Sequence, residues 1–109
     1  MPNYSKPDVI LIRYPFIDLS TSKVRPAVVV SLPHPSQDIL ITPLTSKTRS
    51  LLNGEFILSQ WSAAGVNVTT AIKRGVYTVH ESLVIKVIGQ LAEVDAMQLQ
   101  RSLADWMGL

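Results

Sequence analysis

The 109 residues fit one compact domain, and a hydrophobic content of 47% supplies the side chains for a core, which excludes an intrinsically disordered chain. Zero cysteines exclude a disulfide framework and a thiolate metal site. No apolar run approaches the roughly 18 residues of a membrane span, and the first residues join no basic segment to an apolar one. A soluble, cytoplasmic, single-domain protein over residues 1–109 is therefore expected. Ten Lys and Arg against eight Asp and Glu leave a formal charge of only +2, but residues 1–75 hold eight basic side chains against four acidic ones. Residues 76–109 reverse the balance, with two against four. That asymmetry allows a basic face for a polyanionic partner, and equally a solvated surface of mixed sign.

Residues 8–16 (DVILIRYPF) are rich in β-branched and aromatic side chains in a run of strand length, with Pro15 marking an edge or bulge at its end. A polar loop follows (residues 18–23, DLSTSK), then a second strand over 25–32, with Pro26 near its start, where a missing N–H costs least. Residues 33–37 (PHPSQ) make a turn, and residues 38–46 (DILITPLTS) alternate as a third strand. These three form an antiparallel meander. Beyond a polar connection, residues 55–58 read as a short strand, and 59–65 (SQWSAAG) as one or two helical turns between a Ser59 N-cap and a Gly65 C-cap. Further short strands are expected at 69–73, 76–79 and 84–91. Residues 93–107 set Ala96, Leu99, Leu103 and Trp106 on one helical face, with Glu93 and Asp95 in the first turn, where the helix dipole favours negative charge. Six or seven short strands and one C-terminal helix point to a mainly β protein, a small barrel or sandwich.

No glycine-rich phosphate loop, zinc-peptidase motif, nucleophile elbow or metal-spaced His cluster is present. His34 and His80 stand 46 residues apart with no ligand pattern between them. Either serves as an ordinary surface histidine or as an acid or base near neutral pH. Trp61 and Trp106 fall on apolar faces and read as core, while Phe16, just before the first loop, is the best candidate to stack on a base.

Arg25 is the unusual residue. Its guanidinium stands where a polar loop enters a strand, and burying it unpaired would be costly. In a three-stranded meander the start of the second strand can share a rim with the end of the third, Thr45-Ser46-Lys47. An Arg fork, two hydroxyls and a Lys would then converge on a spot suited to a phosphate. Spacing alone equally allows Arg25 to pair with a carboxylate such as Asp18.

The segments DVILIRYPFIDLSTSKVRPAVVVS (residues 8–31), DILITPLTS (38–46), WSAAG (61–65) and IGQL (88–91), in this order ahead of the last helix, resemble the MazF/PemK toxins of bacterial type II toxin-antitoxin systems. The resemblance covers about residues 7–109. It implies an SH3-like β-barrel of MazF/PemK/CcdB type with a C-terminal helix, a homodimer, metal-independent cleavage of single-stranded RNA with no cofactor, and inhibition by a cognate antitoxin. By position, Arg25 matches the family's catalytic arginine and Thr45 its catalytic threonine. The loop with Ser20, Ser22 and Lys23 matches a loop that helps hold RNA. Two departures stand out. Pro7 replaces the usual glycine before the first strand, and Lys73 and Arg74 lie where many members carry an acidic residue. An arginine is a poor base. Lys73 and Arg74, with Phe16, Ser46 and Lys47, are therefore expected to contact RNA, and Asp18, His80 or neither takes the 2′-proton. The alternatives are a non-catalytic SH3-like binding module and a gyrase poison built on the same barrel.

Overall fold

The computed structural model describes residues 4–14 and 23–109. Strand β1 (Asp8–Tyr14) pairs antiparallel with β2 (Lys23–Val29), which pairs with β3 (Asp38–Thr45), so the expected meander forms. Beyond it come β4 (Phe56–Ile57), β5 (Ala71–Ile72), β6 (Tyr77–His80), a 3₁₀ turn (Glu81–Leu83), β7 (Val84–Gln90) and the helix α1 (Glu93–Met107). The helix spans the predicted residues. Ala92 gives it no side-chain cap, and Gly108, with φ of 71°, ends it in the left-handed conformation.

Strand β3 organises the sheet. One edge pairs with β2, while the other is divided between two partners: Asp38–Ile41 pair with β6, and Leu44 and Thr45 pair with β5. The full order is β4-β5-β3-β2-β1-β7, with β6 branching from β3. Alternation sorts the side chains onto two faces. Val9, Val28, Leu44 and Ile72 join Leu99 of the helix in one core, with Ala96, Leu103 and Trp106 packed against it. Ile10, Ile12, Ala27, Val29, Ile39, Ile41 and Val79 form a second core on the other face. Each buried Val, Ile or Leu contributes about 1.5–3 kcal/mol relative to exposure.

The expectation of a closed barrel is corrected here, because the sheet stays open among the described residues. Its terminal strands are β4, only two residues long, and β7, whose Gln90 N–H donates to the Ala63 carbonyl at 3.3 Å rather than to another strand. The 61–65 segment thus lies where a closing strand would lie. Gly89 permits this approach, since a Cβ there would stand 2.6 Å from the Ala64 carbonyl carbon. The WSAAG and IGQL motifs are therefore the two sides of one backbone contact.

Residues 59–65 are also not the predicted capped helix. They form successive turns, Ala63 N–H to Gln60, Ala64 to Trp61 and Gly65 to Ser62, each at 3.1 Å. The Ser59 hydroxyl donates to the buried Asp95 carboxylate instead of capping a helix. Further along α1, the Ser102 hydroxyl donates to the Gly54 carbonyl at 2.7 Å and the Trp106 indole N–H to the Asn53 carbonyl at 3.0 Å. Residues 53–60 thus run antiparallel beside the helix.

Candidate active site

The β2–β3 register pairs Ala27 with Pro43. That is the last pair of the β2–β3 ladder; Arg25 and Thr45 each lie two residues beyond it, at the ends of β2 and β3 that share one rim. Arg25 is also the register partner of Ile12, and Lys23, two positions away on the same face, pairs with Tyr14. Lys23, Arg25, Ser46 and Lys47 are exposed, and Thr45 is half-buried at the strand end. The Thr45 Oγ1 accepts the Lys47 backbone N–H at 3.0 Å. That bond fixes the threonine oxygen and leaves its proton to be donated elsewhere.

Across β3, Ala71 pairs with Thr45, and the Lys73 N–H donates to the Pro43 carbonyl at 3.0 Å. Lys73 and Arg74 are exposed as the chain leaves β5. One feature was not read from the sequence. The Glu55 carboxylate accepts the Arg74 N–H on Oε2 and the Leu52 N–H on Oε1, both at 2.7 Å, tying the basic segment to the start of β4. Its signal was its isolation, as the one acidic residue between Asp38 and Glu81. With both oxygens engaged by backbone, Glu55 is a clamp.

His80 is not brought to this rim. It pairs with Asp38 at the opposite end of β3, about 23 Å from Thr45 at some 3.3 Å per residue. There its ring nitrogen Nδ1 meets the Ser82 N–H at 3.1 Å and the Ser82 hydroxyl at 2.9 Å, capping the 3₁₀ turn. His34 is similarly engaged with Ser36. Phe16, Asp18, Ser20 and Ser22 lie outside the described residues. Among the described residues no group of three or more His, Asp or Glu could hold a metal ion, and no helix is long and apolar enough to cross a membrane.

An exposed arginine at the start of β2 and a hydroxyl with a fixed oxygen at the end of β3, with Lys23, Lys47 and Lys73 exposed on the adjoining segments, would suit an anion with several oxygens. The family model described as PemK-like, MazF-like toxin of type II toxin-antitoxin system matches residues 6–107. The chain belongs to this family. Solved structures similar to this PemK/MazF-like toxin share its fold at low identity. An endoribonuclease from a mycobacterial species is 17% identical, with a TM-score of 0.75, covering 100% of this chain and 95% of that one. The Mycobacterium tuberculosis toxin MazF-mt6 is 15% identical, with a TM-score of 0.72, covering 94% and 97%. An endoribonuclease in complex with its cognate antitoxin, also mycobacterial, is 16% identical, with a TM-score of 0.72, covering 100% and 97%. No curated protein sequence gives a significant match. The toxin's sheet and helix thus share the fold of these structures.

Proposed function

We propose that this toxin is a metal-independent endoribonuclease that cleaves single-stranded RNA at the Arg25–Thr45 rim. The reading is supported above all by the ladder that ends at Ala27 and Pro43, two residues short of both Arg25 and Thr45, and by the Thr45 oxygen already held by the Lys47 N–H. In the reaction, the ribose 2′-oxygen forms a bond to phosphorus and loses its proton. The bond from phosphorus to the 5′-oxygen breaks, and that oxygen gains a proton. The products are a 2′,3′-cyclic phosphate and a 5′-hydroxyl. Negative charge rises on the phosphorane oxygens, and donors already in place stabilise it without reorganising. Arg25 supplies two parallel N–H groups and Thr45 a neutral O–H.

Lys23, Lys47, Lys73 and Arg74 are proposed to contact neighbouring phosphates, and Ser46 to lie beside them. Of the two groups read as proton acceptors, His80 stands too far along β3 to serve, and Asp18 lies outside the described residues. The rate enhancement is therefore assigned to the donors. As a family toxin, the protein is further proposed to act as a homodimer and to be held inactive by an antitoxin whose acidic segment covers the same basic rim. Exposed Ile85 and Val87 on the terminal strand β7 support an association surface.

The deciding experiment incubates the purified protein with mixed-sequence RNA in EDTA and maps the ends. Cuts at a short recurring sequence, with cyclic phosphate and 5′-hydroxyl termini, are expected. Intact RNA that nonetheless binds would replace the nuclease with a binding module.

A further inference from the structure

A groove of about 350 Å³ opens beside the rim, between the segment joining β5 to β6 and the end of α1. Arg74, Gly75, Val76, Tyr77, Trp106 and Met107 line it. Its walls are held from behind. The Trp106 indole N–H is engaged by the Asn53 carbonyl, so the polar atom of that ring has its partner outside the groove. Tyr77 is 38% exposed and its ring rests on the Gly75 backbone, where a Cβ would stand 2.7 Å from the ring carbon Cε2. Any side chain at Gly75 would displace the ring, and φ of 153° there also favours glycine. The Arg74 backbone is fixed by Glu55.

The groove therefore offers two preset aromatic rings, two aliphatic side chains and one guanidinium, with no acidic residue among its lining. That combination suits a planar, weakly polar group attached to an anion. We infer that the groove between Tyr77 and Trp106 is a base-binding subsite, taking an unstacked RNA base on the same side of the cleaved bond as Lys73 while Arg74 meets its phosphate. The inference rests on the proposed nuclease reading. Lys73 bonds to Pro43, two residues from Thr45, and the groove begins at the next residue, while Tyr77 lies opposite Ile41, about 13 Å from Thr45 at some 3.3 Å per residue. Aromatic platforms with an adjacent arginine hold single-stranded nucleic acid because every base has a stacking face. Rings already in position lose little conformational freedom on binding.

The test uses a single-stranded RNA carrying the mapped cut site, with 2′-deoxyribose at the scissile position so that it binds without being cut. Tyr77→Ala is expected to weaken binding about 5- to 150-fold, as for one lost base stack, and Tyr77→Phe to bind like the parent. Replacing each base in turn by an abasic sugar should identify one position, on one side of the cut, whose loss weakens binding to the parent but not to Tyr77→Ala. Tyr77→Leu, which keeps the apolar volume, should behave like Tyr77→Ala and guards against a folding defect. Parent-like binding by Tyr77→Leu, or abasic losses that persist in it, overturns the subsite while leaving the nuclease reading intact. A shift of sedimenting mass in Tyr77→Leu without RNA also overturns it, by making the groove a contact between copies. A parent protein that binds no RNA overturns the nuclease reading itself.

Discussion

One oxygen of the Asp95 carboxylate accepts both the backbone N–H of Ser59, at 2.9 Å, and its hydroxyl, at 3.0 Å. The other takes the Gln60 N–H at 3.0 Å, and the aspartate is only 2% exposed. The residue that reads as a helix-dipole charge thus caps a turn 35 residues away. Asp95→Ala is expected to lower stability by about 2 kcal/mol, since several hydrogen bonds to a charged acceptor are lost together while water can reach the exposed donors. Urea unfolding followed by circular dichroism measures it, and Asp95→Asn, which keeps one acceptor, should fall between the two.

Thr42 is fully buried, and its Oγ1 is the one buried side-chain polar atom without a hydrogen-bond partner among the described residues. Thr42→Val replaces the hydroxyl with a methyl of similar size and removes the cost of burying an unpaired group. It is expected to stabilise the fold by about 1 kcal/mol, raising Tm by about 4 °C. Thr42→Ser should do the reverse, because it keeps the hydroxyl and deletes the packed methyl.

Arg25→Ala is expected to slow single-turnover cleavage by about 10² to 10³-fold, the effect of removing one preorganised donor. Arg25→Lys should not restore the rate, because a point charge lacks the planar fork. Thr45→Ala should cost less, and the double variant should be little worse than Arg25→Ala, as for residues acting as a unit. A folded Arg25→Ala with the parental rate would remove the catalytic assignment.

Glu55→Ala frees the N–H groups of Leu52 and Arg74 from their clamp. RNA affinity is expected to fall about fivefold, the equivalent of roughly 1 kcal/mol, with the single-turnover rate at saturating RNA unchanged. Glu55→Gln, which keeps one acceptor oxygen, should recover part of the affinity. An equal loss in the saturated rate would mean that the clamp reaches the Arg25–Thr45 pair.

Each phosphate contact made by Lys23, Lys47, Lys73 or Arg74 should add about 0.7 to the slope of log affinity against log salt for single-stranded RNA. Replacing any one by Ala should lower the slope by that amount. A flat response in the parent would count against the basic rim.

The meander was legible because residues 8–14, 23–29 and 38–45 are dense in β-branched side chains, and the helix because Ala96, Leu99, Leu103 and Trp106 recur at three, four and three. That the start of β2 and the end of β3 share a rim was legible because the two strands are neighbours in sequence and pair antiparallel. Relations between distant segments were not legible. Nothing local shows that β3 divides one edge between β5 and β6, and this division places His80 beside Asp38 rather than near Thr45. The open sheet has the same origin, since β7 meets the backbone of residue 63 rather than a strand. The partners of Asp95 and Glu55 were not legible because a carboxylate looks solvated in sequence whether it faces water or the N–H groups of a remote turn.

The stripe of Asp95, Ser102 and Trp106 along α1 gives the segment at residues 53–60 hydrogen-bond partners that two-residue β4 cannot supply. The same segment is bonded on its other side to β5, through the β4 ladder, the Leu58 N–H to the Thr70 carbonyl and the Glu55 clamp, so it ties the helix to the sheet. The slowest-exchanging amides of the helix, the segment and β5 should therefore share a single opening free energy. Trp106 through Asn53 and Arg74 through Glu55 are both bonded to this one segment, so the two walls of the groove keep their spacing for as long as it stays in place.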